Sequence, residues 1–292
     1  MFPNVSVVQL RCFRGVAEQG SFTAAANHLC MSQSAVSQAV ALLERTLGVP
    51  LLLRGRDGAP LTMAGATALA EVRVALAAVE RLAACMASPK TLSGPLRVGV
   101  VQSAAVRLLP GWLRRLRAGH PGIRVTLYEG RDTEIMDWVL ASIVEVGITS
   151  RTHADLAARA VFEDDYVVVV PDGHALAGQG GVSLQQLHGQ RMLLSGGGCE
   201  TLIQELLAAA ASHPDIVCLV RDNATLASMV REGLGLTIMP ELALPENQDG
   251  LGVLRLRPRL RRTLHLLTRP PDALGPVAMA FAGAAQGAEF PK

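Results

Sequence analysis

The sequence predicts a mainly helical N-terminal region, one long helix and then an α/β domain. Residues 1–60 contain short apolar patterns at helical spacing, and residues 62–88 continue one helical pattern without a break. After Gly94, apolar strands alternate with helical patterns, which implies parallel sheets covered by helices. No period of 20–50 residues repeats, which excludes solenoid and propeller folds.

The composition limits the classes to which the chain can belong. Its 292 residues are enough for two or three domains, and a net charge of +2 does not by itself indicate nucleic-acid binding. No apolar run reaches the roughly 18 residues of a membrane helix, and the N-terminus lacks a signal-peptide pattern. The 5 cysteines form no CxxC pair, which is typical of a reducing compartment. We therefore expect a cytoplasmic protein without a membrane partner.

Two predicted helices near the N-terminus begin at serines. Ser21 is a candidate N-cap before an apolar pattern that reaches Leu29, and Ser32 is a second candidate N-cap. The helix after Ser32 carries an apolar stripe, and Gly48 should end it. The stripe consists of Val36, Val40, Leu43 and Leu47.

The opposite face of this second helix carries short or amide-tipped side chains where surface helices usually carry long charged ones. These are Gln33, Ser34, Ser37 and Gln38. Such side chains allow close approach, and glutamine can pair with an adenine edge. A helix-turn-helix inserts a face of this kind into the major groove of DNA. A solvated helical hairpin is the alternative, and the scarcity of charged side chains favours DNA.

Neighbouring residues are expected to hold the DNA backbone. Ser21 and Thr23 stand at a helix start, where side chains and backbone amides can meet phosphate. Arg54 and Arg56 flank a turn between two short predicted strands, as they would in a wing. Double-stranded DNA is therefore the expected macromolecular partner.

The long helix predicted at 62–88 places apolar residues at alternating steps of three and four. These are the a and d positions of a coiled coil, so the helix is predicted to pair two subunits. The positions are Leu69, Val72, Leu76, Val79, Ala83 and Met86. Two prolines and a glycine follow and indicate a hinge.

In the α/β region, polar residues follow the carboxyl ends of several predicted strands. Open parallel sheets bind ligands at these ends, where helices begin. The glycine-rich segment 195–202 leads into another helix start, whose free N–H groups favour an anion. The candidate contacts with a small molecule are Gln102, Ser103, Arg131, Thr149, Ser195 and Thr201. Ordinary helix caps around a water-filled cleft are the alternative.

Five motifs occur together in residues 6–69: GSFTAAA, SQSAVSQ, LLERTLG, LLLR and LTMAG. In this combination the segment resembles the N-terminal domain of LysR-type transcriptional regulators. Looser similarity at GPLRVGV, DDYVVVVPDGHAL and MVREGLGLTIMP extends the resemblance over nearly the whole chain. It implies a winged helix-turn-helix, a dimerising linker helix and a periplasmic-binding-protein-like effector domain of two α/β subdomains.

The resemblance also implies domain bounds, assembly and effector contacts. It places contacts at Ser103, Thr149 and Ser195, in agreement with the strand-end argument. It implies a tetramer built as a dimer of dimers, and RNA polymerase is a candidate further partner. The implied parts are a DNA-binding domain at 1–61, a linker helix and hinge at 62–93, a first effector subdomain at 94–160 and 268–292, and a second at 161–267.

The chain departs from patterns found in the family. Members usually carry Arg or Lys just after SQSAVS and about three residues on, where this chain has Gln38 and Ala41; fewer phosphate contacts predict a weaker salt dependence of DNA affinity. A few members sense peroxide through a cysteine near the helix start at which Cys199 stands, paired with a second cysteine about nine residues on. Their second cysteine is replaced here, at Leu207 and Ala208, which favours a structural role for Cys199.

Other classes of function fit less well. The sequence has no GxSxG, HExxH, GxxxxGK[ST] or CxxC motif, so no enzyme is expected. The 7 histidines lack metal-ligand spacing, so neither a metal nor another cofactor is expected. The alternative is a small-molecule-binding protein of the periplasmic type without specific DNA function. We expect instead a regulator that reads an inverted-repeat operator and whose oligomer changes conformation when an effector, expected to be anionic, binds in a cleft.

Overall fold

The structure, a computed structural model, describes residues 4–53, 58–85, 92–270 and 274–285. These residues form two compact units, and the first contains all helices up to the long one. The helices of the first unit are α1 (Val7–Gln19), α2 (Phe22–Leu29), α3 (Gln33–Leu47) and α4 (Met63–Cys85). No helix in the described ranges is long and apolar enough to cross a membrane.

The predicted helix caps are confirmed. The Ser21 hydroxyl accepts a hydrogen bond from the Ala24 amide at 3.0 Å, and the Ser32 hydroxyl accepts one from Ala35 at 3.2 Å. Gly48 ends α3 in a left-handed conformation with a φ of 73°. These caps satisfy backbone groups that helix ends leave unpaired, and they fix where α2 and α3 begin.

The apolar stripe of α3 packs into the core of the first unit. Val36, Val40 and Leu43 are fully buried and lie in one cluster with Phe13 of α1. The prediction that Leu47 belongs to this buried stripe is wrong, because 41% of its surface is exposed. The stripe therefore ends one turn before the helix does.

Glu44 connects α3 to the segment that follows it. Its Oε1 accepts hydrogen bonds from the amides of Leu51 and Leu52, at 2.8 and 3.1 Å. Two strands were predicted here; in the described part of this segment, Leu52 and Leu61 form an antiparallel bridge. A side chain of the helix thus holds a segment that has little sheet structure of its own.

The first half of α4 packs within its own unit, although all of its a and d positions were predicted to pair two subunits. Leu69, Val72 and Leu76 are buried in the same cluster as the α3 stripe. Arg73 of α4 also donates two hydrogen bonds to Glu18 Oε1 on α1, at 3.1 and 3.0 Å. Intramolecular packing therefore occupies the first three predicted a and d positions.

The later part of α4 exposes apolar side chains. Val79 is 40% exposed and Leu82 is 66% exposed. Met86, the last predicted a/d position, lies outside the described residues, and the side chain of Ala83 is likewise not described.

The second unit is an α/β fold. Its strands are β1 (Ser93–Val100), β2 (Gly122–Glu129), β3 (Val146–Thr149), β4 (Ala157–Pro171), β5 (Arg191–Ser195), β6 (Asp215–Val220), β7 (Thr237–Pro240), β8 (Leu251–Arg255) and β9 (Arg261–Thr268). Its helices are α5 (Gln102–Arg107), α6 (Leu109–Gly119), α7 (Asp132–Leu140), α8 (Glu200–Ala209), α9 (Asn223–Arg231) and α10 (Pro276–Ala284). The pattern at 104–118, which predicts one helix, forms two, because Pro110 stands in the first turn of α6.

The sheets are mixed, which corrects the prediction of purely parallel sheets. β1 pairs in parallel with β2 and β3, and β5 pairs in parallel with β6. β4 and β9 pair with each other in antiparallel fashion; β9 also pairs with β3, and β4 with β7 and β8. The strand order is β2-β1-β3-β9-β4-β7. The long strand β4 therefore joins two halves of the second unit, and β9 runs beside it.

Each half of the second unit has its own core. The core of the first half surrounds Trp112 and Phe281, whose ring centroids lie 6.3 Å apart. In the second half, β4 alternates between two clusters, with Val168 in one and Val169 in the other, because successive side chains of a strand point to opposite faces. The domain bounds given above stay a prediction, since one strand serves both halves.

Gly65 marks the closest approach of α4 to the preceding segment. A Cβ atom at this position would lie 1.9 Å from the backbone oxygen of Leu51. We expect Gly65→Ala to destabilise the first unit by about 3 kcal/mol, because the backbone must shift. Urea unfolding, followed by hydrogen exchange of α1 and α3, measures this change.

Gly111→Ala in α6 is the matched control, since nothing lies within 4 Å of its added Cβ. It should leave stability unchanged or raise it by up to about 1 kcal/mol. Equal unfolding midpoints for both variants would contradict the close contact at Gly65.

Candidate nucleic-acid interface and ligand cleft

The predicted DNA-binding residues that the structure describes lie around the starts of α2 and α3. Gln33, Ser34 and Gln38 are exposed on α3, while Ser37 is half-buried. Thr23 is exposed in the first turn of α2, next to the half-buried cap Ser21. The last two predicted residues, Arg54 and Arg56, lie outside the described residues.

The serine hydroxyl groups at these helix starts use only part of their hydrogen-bonding capacity within the protein. Ser21 uses its oxygen as an acceptor for the cap, which leaves its O–H free to donate. Ser32 and Ser34 share a hydrogen bond of 3.1 Å at the start of α3. Exposed amides and hydroxyls at two helix N-termini can donate to phosphate, and the amide of Gln38 can both donate and accept.

A cleft lies between the two halves of the second unit. Its wall includes three of the six predicted effector contacts, Gln102, Ser103 and Ser195. Its volume is about 30 Å³, which is space for about two water molecules. The enclosed part of the cleft is therefore small, and part of the cleft is open to solvent.

Gln102 crosses this cleft. Its Nε2 donates to Asp222 Oδ2 at 2.9 Å, and its Oε1 accepts from the Asn223 amide at 3.0 Å. Asp222 caps α9 by accepting from the Thr225 amide at 2.7 Å, and the hydroxyl and amide of Thr225 lower the pKa of Asp222. One side chain of the first half thus holds the N-terminus of a helix of the second half.

A buried ion pair forms the floor of the cleft. Arg262 of β9 donates from Nε and Nη2 to the two carboxylate oxygens of Asp164, at 2.7 and 2.8 Å. The two side chains are only 7% and 4% exposed. Arg262 also donates from Nη1 to the Ser103 hydroxyl at 3.2 Å, and Asp164 accepts from the Leu242 amide at 2.9 Å. The pair connects the crossing strands to the cleft wall.

This pair was not predicted from the sequence, although one signal for it is present. Arg262 stands two residues before Leu264 and four before Leu266, on the buried face of β9. The period of two in a strand places all three side chains on the same face. An arginine in register with buried leucines indicates a buried charge that needs a carboxylate partner.

Asp132, at the start of α7, is a second cleft residue that the sequence analysis missed. Its Oδ1 accepts from the Thr149 hydroxyl at 2.5 Å and from the Ser150 amide at 2.6 Å. Its Oδ2 accepts from the Ser150 hydroxyl at 3.0 Å. Thr149 is fully buried and orients Asp132, whereas Asp132 itself lies at the cleft wall.

The structure does not place Arg131 or Thr201 at the cleft wall. Arg131 is exposed and donates to both carboxylate oxygens of Glu134, at 3.1 Å each, and this pairing lowers the pKa of Glu134. In the glycine-rich segment, the Gly198 amide donates to Glu200 Oε2 at 2.8 Å. The Glu200 carboxylate therefore already accepts from one of the N–H groups that were predicted to bind an anionic ligand.

Cys199 lies at the cleft wall, and none of the other cysteines that the structure describes forms a disulfide with it. Burial raises the pKa of its thiol, and its Sγ donates to the backbone oxygen of Ser195 at 3.9 Å. Cys218 packs in the cluster on the opposite face of the β5–β6 sheet. The described part of the chain contains no group of three or more acidic, histidine or cysteine side chains that could hold a metal ion.

Two family models match the chain in agreement with this architecture. The model of the bacterial regulatory helix-turn-helix proteins of the LysR family matches residues 7–66. The model of the LysR substrate binding domain matches residues 89–288. The chain belongs to the LysR family of transcriptional regulators.

Individual relatives resemble the chain over most of its length. An uncharacterized HTH-type transcriptional regulator of Shigella flexneri, YfeR, is 32% identical over 95% of this chain and 92% of its own. A probable hydrogen peroxide-inducible genes activator of Streptomyces viridosporus is 31% identical over 82% and 78%. The solved structure of full-length OxyR from Pseudomonas aeruginosa superimposes with a TM-score of 0.80 at 22% identity, covering 97% of this chain and 94% of that one.

Family membership defines what kind of protein this is. It is a ligand-responsive transcriptional regulator with an N-terminal helix-turn-helix and a two-subdomain α/β effector domain. Like other LysR regulators, it binds DNA through the helix-turn-helix, binds a small-molecule effector and forms oligomers.

Removing one partner of the buried ion pair should destabilise the effector domain. Asp164→Asn leaves the Arg262 guanidinium without its counter-charge, and we expect a loss of about 3–5 kcal/mol in unfolding free energy. Glu163→Gln is the control on the same strand, because Glu163 is exposed and lies 3.6 Å from Arg261. It should change stability by less than about 1 kcal/mol. Urea titrations that give similar values for both variants would contradict the role of the pair.

Gln102 should restrict the opening of the cleft. Gln102→Ala removes two hydrogen bonds to the start of α9, each contributing about 1 kcal/mol. We expect the Asn223 amide to exchange with deuterium about tenfold faster. Gln204→Ala, an exposed change on α8, is the control. An unchanged exchange rate at Asn223 in Gln102→Ala would show that Gln102 does not hold the cleft.

Proposed function

We propose that this regulator reads an inverted-repeat operator through the neutral face of α3 and responds to a small molecule in the cleft around Gln102, Ser103 and Ser195. The observation that carries the DNA part is the exposure of Gln33, Ser34 and Gln38 on a helix whose other face buries Val36, Val40 and Leu43. A buried apolar stripe fixes the helix, and the exposed polar groups are then free for base edges.

Ser21, Thr23, Arg54 and Arg56 are proposed to contact the DNA backbone. The free O–H of Ser21 and the amides at the start of α2 support this role for the first two. Their contacts would set the register of the helix on the duplex without reading sequence. Ser37, which is half-buried, would then contact DNA only at its hydroxyl.

We propose that subunits pair through the later part of α4. The exposed Val79 and Leu82 support this, because apolar side chains on an amphipathic helix gain stability when a second helix covers them. Pairing would bring two α3 helices to an inverted repeat, and two such dimers would form a tetramer. RNA polymerase remains a candidate partner, and the cytoplasm the proposed location.

The effector is proposed to act by shifting a population of conformations. The hydrogen bonds of Gln102 favour a closed cleft, and a ligand that needs more space must compete with them. The change in the angle between the halves would be transmitted through the oligomer to the DNA-bound helices. Only the difference in affinity for the two conformations can move this equilibrium.

A peroxide response through Cys199 is the second candidate function, because relatives are named as hydrogen peroxide-inducible activators. Two observations favour a non-covalent effector instead. Burial raises the pKa of the thiol, although the thiolate is the reactive form. No second cysteine shares the face of Cys199 among the described residues. A transport protein without specific DNA function is not favoured for a member of this family, and no enzymatic role is proposed.

Fluorescence anisotropy with the DNA upstream of the regulator's own gene tests the DNA part of the proposal. Gln38→Ala should reduce discrimination between this DNA and random DNA by about 1–3 kcal/mol, because a base contact is lost. Nonspecific affinity and its salt dependence should stay unchanged.

Gln204→Ala serves as the control for the loss of an exposed amide on a helix of the effector domain. It should leave both affinities unchanged. If specific and nonspecific binding fall equally in Gln38→Ala, then Gln38 does not contact a base.

A further inference from the structure

From the charges and hydrogen-bonding groups of the cleft, we infer that the effector is a small uncharged or cationic molecule with an O–H or N–H donor, and that it is not a carboxylate. The inference rests on the proposed function, since it names the ligand class of the cleft proposed above. It replaces the anion that the glycine-rich segment predicts.

The charges around the cleft favour a cation over an anion. The charged side chains at the described cleft wall are Arg262 and Asp132. Asp164 is not part of this wall, but its bidentate contact offsets the charge of Arg262. The hydrogen-bond partners of Asp132 among the described residues are the neutral groups of Thr149 and Ser150. Together the three charged side chains carry one positive and two negative charges, so the site repels an anion and attracts a cation.

Asp132 has unused hydrogen-bonding capacity. A carboxylate has about four acceptor positions, and Asp132 uses one of them on Oδ2 and two on Oδ1. Asp132 lines the cleft, and the nearby Gly198 places no side chain beside Oδ2, where a Cβ would lie 3.3 Å from this oxygen. A donor on the ligand can use the free position on Oδ2, whereas a second carboxylate cannot bind there.

Tyr166 supplies an independent observation. Only 3% of its surface is exposed, and it lines the cleft. The centre of its ring lies 5.9 Å from Cζ of Arg262. Its hydroxyl has no hydrogen-bond partner in the described ranges. Burial raises the pKa of this phenol, so the hydroxyl stays protonated and can donate. Because Tyr166 lines the cleft, a ligand bound there can accept a hydrogen bond from this hydroxyl.

Together these groups define a ligand with both kinds of hydrogen-bonding function. An O–H or N–H of the ligand would donate to Asp132, and a hydroxyl or carbonyl oxygen would accept from Tyr166. The usual cations for a carboxylate ligand are already engaged, Arg262 by Asp164 and Arg131 by Glu134. Alcohols, amides and hydroxyl-bearing amines meet both requirements.

The test compares three probes of similar size on the full-length protein at pH 7: ethanolamine, glycolamide and glycolate. Dissociation constants are obtained from the shift of the thermal midpoint along each titration. Ethanolamine and glycolamide should bind at least about tenfold more tightly than glycolate. Equal binding of the three, tighter binding of glycolate, or no shift with any probe overturns the inference.

Variants make the test specific to the cleft. Asp132→Asn should remove the discrimination against glycolate, while Asp137→Asn, an exposed change on the same helix, should keep it. Tyr166→Phe removes only the unpartnered hydroxyl; it should remain folded and weaken glycolamide at least about threefold. Discrimination that persists in Asp132→Asn, or unchanged binding in Tyr166→Phe, places the probes elsewhere and overturns the inference.

Anisotropy with operator DNA on the same samples separates two failures. A protein that binds its DNA specifically but prefers glycolate contradicts only the ligand class. A protein that prefers ethanolamine but binds no DNA specifically contradicts the proposed function and leaves the ligand class intact.

Discussion

The effector domain depends on one constraint: the guanidinium of Arg262 is buried and must keep its carboxylate. Asp164 is its partner, and neither charge can remain alone in an interior of low dielectric constant. Because Arg262 also reaches Ser103, and Asp164 accepts the Leu242 amide, the pair fixes the two crossing strands, the start of α5 and a segment of the second half at once. The cleft is shaped around this pair, because Arg262 lies in its wall and also holds Ser103 there.

In the DNA-binding unit, too, side chains that satisfy polar groups fix the positions of segments, but they do so through single hydrogen bonds. Glu44 satisfies the amides of Leu51 and Leu52 in a segment without a sheet ladder, and Ser32 fixes where α3 begins. A helix positioned in this way can present neutral side chains to DNA. Affinity then depends less on counterion release and more on the fit between side chains and bases.

Local sequence patterns predicted many of the helices, whereas the pairing of strands that are far apart in the sequence could not be predicted from them. Ser21, Ser32 and Gly48 act within a few residues of themselves, so capping rules located α2 and α3. The antiparallel pairing of β4 with β9 joins segments about a hundred residues apart, and no local pattern specifies it. For the cleft, the strand-end rule found Gln102 and Ser103, because it follows from chain direction in a parallel sheet.

The errors have physical causes as well. Arg131 and Asp132 are neighbours at a helix start, and only the turn of the helix decides that Asp132 points inward and Arg131 outward. The periodicity of α4 was correct, yet periodicity does not say which surface covers an apolar stripe. Here the early stripe is covered by α1 of the same chain.

This packing has a consequence for how the protein can be divided. Leu69, Val72 and Leu76 complete the core around Phe13, so a fragment that stops before α4 would expose part of its own interior. The smallest autonomous DNA-binding module therefore extends well into the connecting helix. Chimeras that exchange sensory domains among such regulators would keep their DNA-binding half intact only if the junction follows Leu76.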